Sequence, residues 1–292
     1  MRQSSPRLSC RIARDVSDPA LPNPRTTSAL PGMATTNHVL RQKVTPYATL
    51  SRLYDAVLGD RFFMRIRRVF EGLVQRYGIR FVTAADVACG TGTFTRYLCE
   101  RGVPVVYGVD RSPEMLRIAI AKNQGVGACF FLQDFATLHL PQTVDLLTCH
   151  FDSLNYLLTN DALQQALRRF RANMKAGGHL IFDMITDRPP WPALWPCVER
   201  VTHTGVTIDR VTRWDLRYDL QTAHVSIARH GLSHREVHVQ RGYSVTMVGG
   251  FLAQARFALL GVHDFQTLGP ATTWTRRAVY VAQAVPVEGA RW

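Results

Sequence analysis

The sequence predicts an α/β protein whose sheet is mostly parallel and is interrupted late in the chain by an antiparallel β insertion. Three observations predict it. Apolar, β-branched runs alternate with segments of helical period from Phe81 to Met184. A turn of small residues, Cys89-Gly90-Thr91-Gly92, joins the first run to the first of these helices, and Asp110 closes the next run eighteen residues beyond Gly92. From Met184 to about Gln240 the pattern changes to strands of alternating polarity.

The chain divides accordingly. Residues 1–42 are rich in Ser, Pro, Arg and Thr with little periodicity, which predicts a disordered tail lacking the apolar core of a secretory signal. Met33 opens a segment that would serve as a start, leaving residues 1–32 outside the natural protein. Residues 43–292 read as one domain, with residues 184–241 as its β-rich insertion. From Tyr47, the spacing of Leu50, Leu53, Tyr54, Val57 and Leu58, continued from Phe62 to Tyr77, predicts two helices ahead of the sheet.

Strands are expected at Phe81–Ala88, Val103–Val109, Cys129–Leu132, Val144–Cys149 and His179–Met184. Thr93–Glu100 reads as a helix, and Ser112-Pro113-Glu114 starts another, with Ser at the cap and Pro in the first turn. A further helix is capped by Asn160 or Asp161, buries Leu163, Leu167, Phe170 and Met174, and ends at Gly177-Gly178. In the insertion, strands are expected at Val201–Asp215, Tyr218–Ala228 and Glu236–Arg241, after the break Arg188-Pro189-Pro190-Trp191-Pro192. A helix near Val245–Ala255 and strands at Phe257–Asp264 and Thr275–Gln283 bring the main sheet to seven strands.

In a βαβ unit, a carboxylate ending the second strand lies beside the turn after the first, where it can accept the two hydroxyls of a ribose. Gly90 to Thr95 lacks the third glycine of a dinucleotide fingerprint, and no Lys stands in the position of a phosphate-binding loop. The site therefore suits a nucleoside rather than a pyrophosphate.

Asp86-Val87-Ala88-Cys89-Gly90-Thr91-Gly92 resembles the first motif of class I S-adenosylmethionine (SAM) methyltransferases, and Gly108 to Leu116 resembles the second. Phe151-Asp152-Ser153-Leu154-Asn155-Tyr156-Leu157 is similar to the corresponding segment of small-molecule N-methyltransferases, including those that dimethylate aminosugars. The resemblance covers about Tyr47 to Asp183 well and the remainder loosely. It implies a Rossmann-like seven-stranded sheet with a reversed final strand, SAM as cofactor, and a small-molecule acceptor, an amine foremost.

Residue by residue, the resemblance implies a cofactor site of Asp86, Ala88, Cys89, Gly90, Gly92, Asp110, Arg111, Met115, Asp134, Phe135 and His150. Gly90 and Gly92 would admit the amino-acid end, Asp110 the ribose, Asp134 and Phe135 the adenine. Tyr54-Asp55 resembles a pair in a lid over the cofactor; plain core packing explains Tyr47 and Tyr54 equally, and a loop cap is the lesser alternative for Asp134. His150 is the best-placed base for an oxygen acceptor, or a positioning residue of the cofactor pocket. Substrate contacts are expected from Asp152, Asn155, Tyr156 and aromatics of the insertion such as Trp214, with Trp191, Trp195 and Tyr218 beside it, or else these Trp residues fill the insertion's core.

Other classes find less support. The net charge of +13 suits a nucleic-acid partner, but five arginines lie in the first 32 residues and most others are scattered. The Pro-Pro-aromatic grip on a flipped base is missing after Cys149, and Pro196-Cys197 falls in the wrong place for a cytosine-C5 nucleophile. His230, His234 and His238 on a strand spread over about 13 Å with no Cys or carboxylate at ligand spacing, so no metal is expected. The six cysteines form no C-x-x-C pair, and no run of eighteen uncharged apolar residues occurs, so a cytoplasmic protein with no membrane span is expected. An RNA or protein methyltransferase, or a non-catalytic SAM-binding partner protein, are the alternatives.

Overall fold

The computed structural model describes residues 42–44, 50–52, 54–55, 60–188, 197–203, 205–229 and 232–286. Expectations for residues 1–41, Tyr47, Trp191, Trp195 and His230 lie outside these residues. Two sheets organise the described chain. The first element is β1 (Gln42–Val44), followed by a 3-10 turn at Leu50–Arg52, α1 (Asp60–Arg76), β2 (Thr83–Val87), α2 (Thr93–Glu100), β3 (Val105–Asp110), α3 (Pro113–Lys122) and β4 (Cys129–Leu132). Next come β5 (Val144–Cys149), α4 (Asn160–Ala172) and β6 (Met174–Ile185). Then follow β7 (Cys197–His203), β8 (Val206–Asp215), β9 (Leu220–Arg229), β10 (Leu232–Arg241), α5 (Val245–Gln254), β11 (Phe257–Asp264) and β12 (Arg277–Ala284).

The seven-stranded sheet has the order β11-β12-β6-β5-β2-β3-β4, with only β12 reversed among parallel neighbours and paired to β11 and β6 antiparallel. Strand order reverses beside β2: β3 and β4 step away to one side, β5 and β6 to the other. Such a switch point leaves a crevice beyond the carboxyl ends of the strands. Each face of the sheet is covered. Ile66, Phe70 and Leu73 of α1 and Leu98 of α2 bury completely on one face. Leu163, Leu167 and Phe170 of α4 and Leu252 of α5 do so on the other. Removing any one of these large side chains would cost about 2–5 kcal/mol.

Two boundaries differ from the sequence reading. Thr159, not Asn160 or Asp161, caps α4, its hydroxyl accepting from Ala162 N at 3.2 Å. That helix stops at Ala172, so Met174 is buried as the first residue of β6 rather than as a helical residue, and Gly177-Gly178 lies inside the strand. The stop has a cause: Asn173 turns its side chain onto Leu140 N, Leu138 O and Arg169 O, capping the helix without a glycine.

The insertion carries one strand more than expected, because Gly205 with φ 75° folds the run Val201–Asp215 back on itself. The resulting sheet, in the order β1-β10-β9-β8-β7, is antiparallel except where β1 joins β10 in parallel. Val206, Ile208, Val225 and Ile227 pack on one face of it with Leu50, Tyr54 and Val201. Among the described residues no helix is long and apolar enough to cross a membrane.

Candidate functional site

Three of the six left-handed non-glycine residues among the described ones sit at the carboxyl ends of β2 and β5. Ala88, directly after β2, has φ 59°, and Phe151 and Asp152, just after β5, have φ 61° and 49°. Left-handed conformations at non-glycine residues are sparsely populated and persist only where the surroundings hold them. Asp183 of β6 does the holding at the second turn: its Oδ1 accepts from Phe151 N at 2.9 Å and its Oδ2 from Asp152 N at 3.0 Å. At the first turn, Cys89 N donates to Val109 O at 2.9 Å.

Between these turns opens a cleft of about 1040 Å³, counted to its open mouth. Its floor is Asp86 to Thr91, and its walls come from the ends of β3, β4 and β5: Asp110 to Ser112, Gln133 to Phe135, and His150 with Phe151. Of the twelve expected cofactor residues, Tyr54, Asp86, Ala88, Cys89, Gly90, Asp110, Arg111, Met115, Asp134, Phe135 and His150 all line it. Gly92 does not. At φ 74° it caps α2, and a Cβ there would meet Asn123 Nδ2 at 2.7 Å and Ala119 Cβ at 3.0 Å, so this glycine serves the packing of α2 on α3. Gly90, at φ 54°, faces open space except for Met115 Sδ at 4.0 Å from such a Cβ, and it leaves the backbone bare to the cleft.

Asp110 anchors the turn it faces. Oδ2 accepts from Gly90 N and Oδ1 from Ser112 N, both at 2.8 Å. Each oxygen keeps a further lone pair, which is the acceptor set a ribose diol requires. Burial raises the Asp110 carboxyl, against those two N–H groups and Arg111. Asp134 satisfies both readings of the sequence: its Oδ1 caps Ala136 N at 3.1 Å, and it also lines the cleft beside Phe135.

Beneath the cleft, Asp86 is 2% exposed, and burial pushes its carboxyl up to about 6, against His150 and the hydroxyls of Thr95 and Thr148. His150 is also buried; Nδ1 stands 3.5 Å from Asp183 Oδ1 without hydrogen-bond geometry, and among the described residues neither ring nitrogen has a hydrogen-bond partner. A buried imidazole with unused nitrogens, an acid beside bare glycine backbone and a flat aromatic at the far wall together fit the polar and ring faces of a nucleoside cofactor. Burial drives the Cys89 and Cys149 thiols well above their ordinary range, so neither serves as a thiolate nucleophile.

Asp55, next to Tyr54, fastens the N-terminal segment over this cleft. Its Oδ1 accepts from Thr91 Oγ1 at 2.5 Å and its Oδ2 from Lys122 Nζ at 2.7 Å, while Lys122 also reaches Thr93 Oγ1 at 2.5 Å.

A second cavity of about 780 Å³ adjoins the first, the two sharing Tyr54, Phe151 and Tyr156. One face of the smaller sheet walls it through Glu199 and Val201 of β7, Ile208 and Arg210 of β8, Val225 of β9 and His238 and Gln240 of β10. The register explains the grouping: Val201 stands opposite Ile208, Glu199 opposite Arg210, and Arg210 opposite Val225, all on one side of the pleat. Of the expected substrate residues, Asp152 and Tyr156 line this cavity and Asn155 and Trp214 do not. Asn155 is fully buried and staples β6 to β10, donating to Ile185 O at 2.9 Å and Arg241 O at 2.6 Å and accepting from Ile185 N at 3.0 Å.

Several site residues escaped the sequence reading. Arg277, at the start of β12, donates from Nε to Asp183 Oδ2 at 2.7 Å and from Nη2 to Asp152 Oδ1, with its guanidinium 4.7 Å over the Phe265 ring. Burial raises Asp152, against Arg277, whereas in Asp183 Arg277 and then His150 outweigh burial and hold the carboxyl at about 2. The pair Arg276-Arg277 leading into an apolar strand was the available signal. Gln240 Nε2 donates to Asp152 Oδ2 at 2.7 Å, and nothing in its strand's polarity marked it.

Comparison with known proteins agrees with this geometry. Residues 84–178 match a family model described as a methyltransferase domain. A protein named as a methyltransferase in Geobacillus sp. (strain WCH70) is 26% identical over 256 residues, 81% of this chain and 99% of the relative. A dTDP-3-amino-3,6-dideoxy-alpha-D-glucopyranose N,N-dimethyltransferase of Streptomyces fradiae is 28% identical over 197 residues, 64% of this chain and 76% of that protein. Among solved structures, a S-adenosylmethionine-dependent methyltransferase from Clostridium acetobutylicum ATCC 824 superposes with a TM-score of 0.71 at 24% identity, covering 82% of this chain and 99% of that one, a likeness of fold.

Proposed function

We propose that this chain, a SAM-dependent methyltransferase, methylates an amino group of a small molecule, with aminosugars as the leading acceptor class. The observation that carries the reading is the second cavity. It opens onto the cofactor cleft at Tyr54, Phe151 and Tyr156 and is walled by one face of the smaller sheet, which suits a small acceptor seated beside the methyl donor. SAM supplies an electrophilic methyl, whose bond to sulfur breaks as the acceptor's lone pair bonds to carbon. The protein's share is alignment and exclusion of water. Asp110 would hold the ribose and Asp134 with Phe135 the adenine. The smaller sheet, residues 197–241, would act as the substrate cap. The Streptomyces fradiae relative, named as an aminosugar N,N-dimethyltransferase, supports the same class.

The test is a screen with methyl-labelled SAM against dTDP-aminosugars, free amines, hydroxylated rings, bulk tRNA and protein lysate. Label in the aminosugar or another small amine is the expected result. Label confined to RNA or protein would refute the acceptor class, and SAM bound but never consumed would point to a binding module.

A further inference from the structure

One side chain of the smaller sheet reaches the turn that closes the cofactor cleft. Gln240, on the cavity face of β10 and 5% exposed, donates from Nε2 to Asp152 Oδ2 at 2.7 Å and to Asp152 O at 3.1 Å. Both partners are oxygens and one is a carbonyl, which can only accept, so the NH2 of the amide belongs on this side. Three strands converge on Asp152. Arg277 of β12 donates to its Oδ1, Asp183 of β6 accepts from its N–H at 3.0 Å, and Gln240 of β10 holds its Oδ2 and its carbonyl. Phe151 and Asp152 line the second cavity, and Phe151 lines the cofactor cleft as well. The far end of β10 has its own anchor. Asn155 Nδ2 donates to Arg241 O at 2.6 Å, and Gly242 passes so near the end of β6 that a Cβ on it would collide with Thr186 O. Those contacts fasten the sheet through its backbone; Gln240 adds a bond that runs from the wall of the second cavity to the turn of the first.

We infer that Gln240 is a positioning residue for methyl transfer: by gripping Asp152 it sets the distance and angle between the wall that seats the acceptor and the cleft that holds SAM. The inference rests on the reading above that the second cavity seats the acceptor, and it holds for an oxygen acceptor as for an amine. In-line attack needs the acceptor atom within about 3–3.5 Å of the methyl carbon and aligned with the breaking bond to sulfur, and a misplacement of about 1 Å costs on the order of 100-fold in rate. A slack acceptor wall therefore lowers kcat. The affinity for SAM stays, because Gln240 lies outside the cofactor cleft and the turn keeps its bonds to Asp183.

The bond can be broken and then rebuilt in the opposite direction. Gln240→Leu removes the N–H donor at similar volume and leaves the Asp152 carboxylate with Arg277. Gln240→Glu sets a second carboxylate against the first, and the two repel. In the double variant Gln240→Glu/Asp152→Asn the new NH2 faces the new carboxylate while the amide oxygen stays with Arg277, and the net charge is that of the wild type. With methyl-labelled SAM and dTDP-3-amino-3,6-dideoxyglucose as probes, kcat at saturating acceptor should fall on the order of 10- to 100-fold in both single variants, with the Kd for SAM within about threefold of wild type. The double variant should regain about fivefold or more over Gln240→Glu. A general structural defect would instead weaken SAM along with kcat. Hydrogen exchange of the full-length protein reads the same bond without any acceptor. Residues 151–155, where Asn155 N–H rests on Asp152 O, should exchange about tenfold faster in Gln240→Leu, while β2 and β5 keep their rates. Unchanged exchange there, undiminished kcat in the single variants, or a double variant no better than Gln240→Glu overturns the inference. A wild type that methylates no small molecule would instead fall on the acceptor reading, and exchange over residues 151–155 would still decide whether Gln240 holds the turn.

Discussion

Asp183→Asn is the most informative single substitution, because one buried carboxylate holds both the strained Phe151–Asp152 turn and the Arg277 guanidinium. A carboxyl held at about 2 against an ordinary 3.8 contributes about 2.5 kcal/mol at neutral pH. Removing one partner of a buried pair costs about 3–5 kcal/mol, less here because Arg277 keeps Asp152. The two routes agree on a loss of about 2–4 kcal/mol, or roughly 5–12 °C in Tm for a chain of this size. The folded value is depressed, so the stabilisation is full above the unfolded carboxyl's range and is lost as pH falls through about 4 toward 2. Urea unfolding of wild type and variant from pH 7 to pH 2.5 should show the gap narrowing with acid. A difference under about 0.5 kcal/mol at pH 7, or one that widens toward low pH, would refute the assignment.

Asp110→Ala should weaken SAM and S-adenosylhomocysteine roughly tenfold to a hundredfold by calorimetry, since a paired contact of about 1.5–3 kcal/mol is lost, and it should also loosen the turn through Gly90 and Ser112. Asp86, raised to about 6, is protonated in the empty site below that pH; binding of the cationic cofactor should release protons near pH 6 and tighten as pH rises through it, visible in titrations run in buffers of different ionisation enthalpy. Lys122→Met should remove one of the two bonds that hold Asp55 beside the glycine turn and speed SAM dissociation about fivefold in stopped flow, with the far-ultraviolet spectrum unchanged.

Much of this was legible in the sequence, for physical reasons. Asp110 and Gly90 are found because a parallel strand, a tight turn and a second strand put them side by side whatever the rest of the chain does. The order of the strands up to β6 follows from the same alternation. Asn155 was misread because the segment after β5 was treated as uniformly facing the crevice, whereas its 3-10 turn at Ser153–Tyr156 sends Leu154 and Asn155 inward and Tyr156 toward the cavities. His238 was weighed only with two neighbouring histidines as a metal ligand; its partner Tyr156 is 82 residues away, and only the packing of the smaller sheet on that turn joins them. Arg277 and Gln240 fell in the same gap, since local period says which face a residue takes and not what that face meets.

The two cavities share Tyr54, Phe151 and Tyr156 and otherwise draw most of their walls from different sheets, and this has a consequence for how such a protein changes over generations. The positions that would judge the acceptor, at 199, 201, 208, 210 and 225, all project from a single pleated surface that contributes nothing to the turns around Gly90 and Asp110. Alternate residues on those strands can be exchanged without disturbing the donor machinery or the seven-stranded core. New acceptors are therefore reachable by small steps, each leaving a working enzyme behind it, and a laboratory wishing to retarget this protein has a five-position library already drawn.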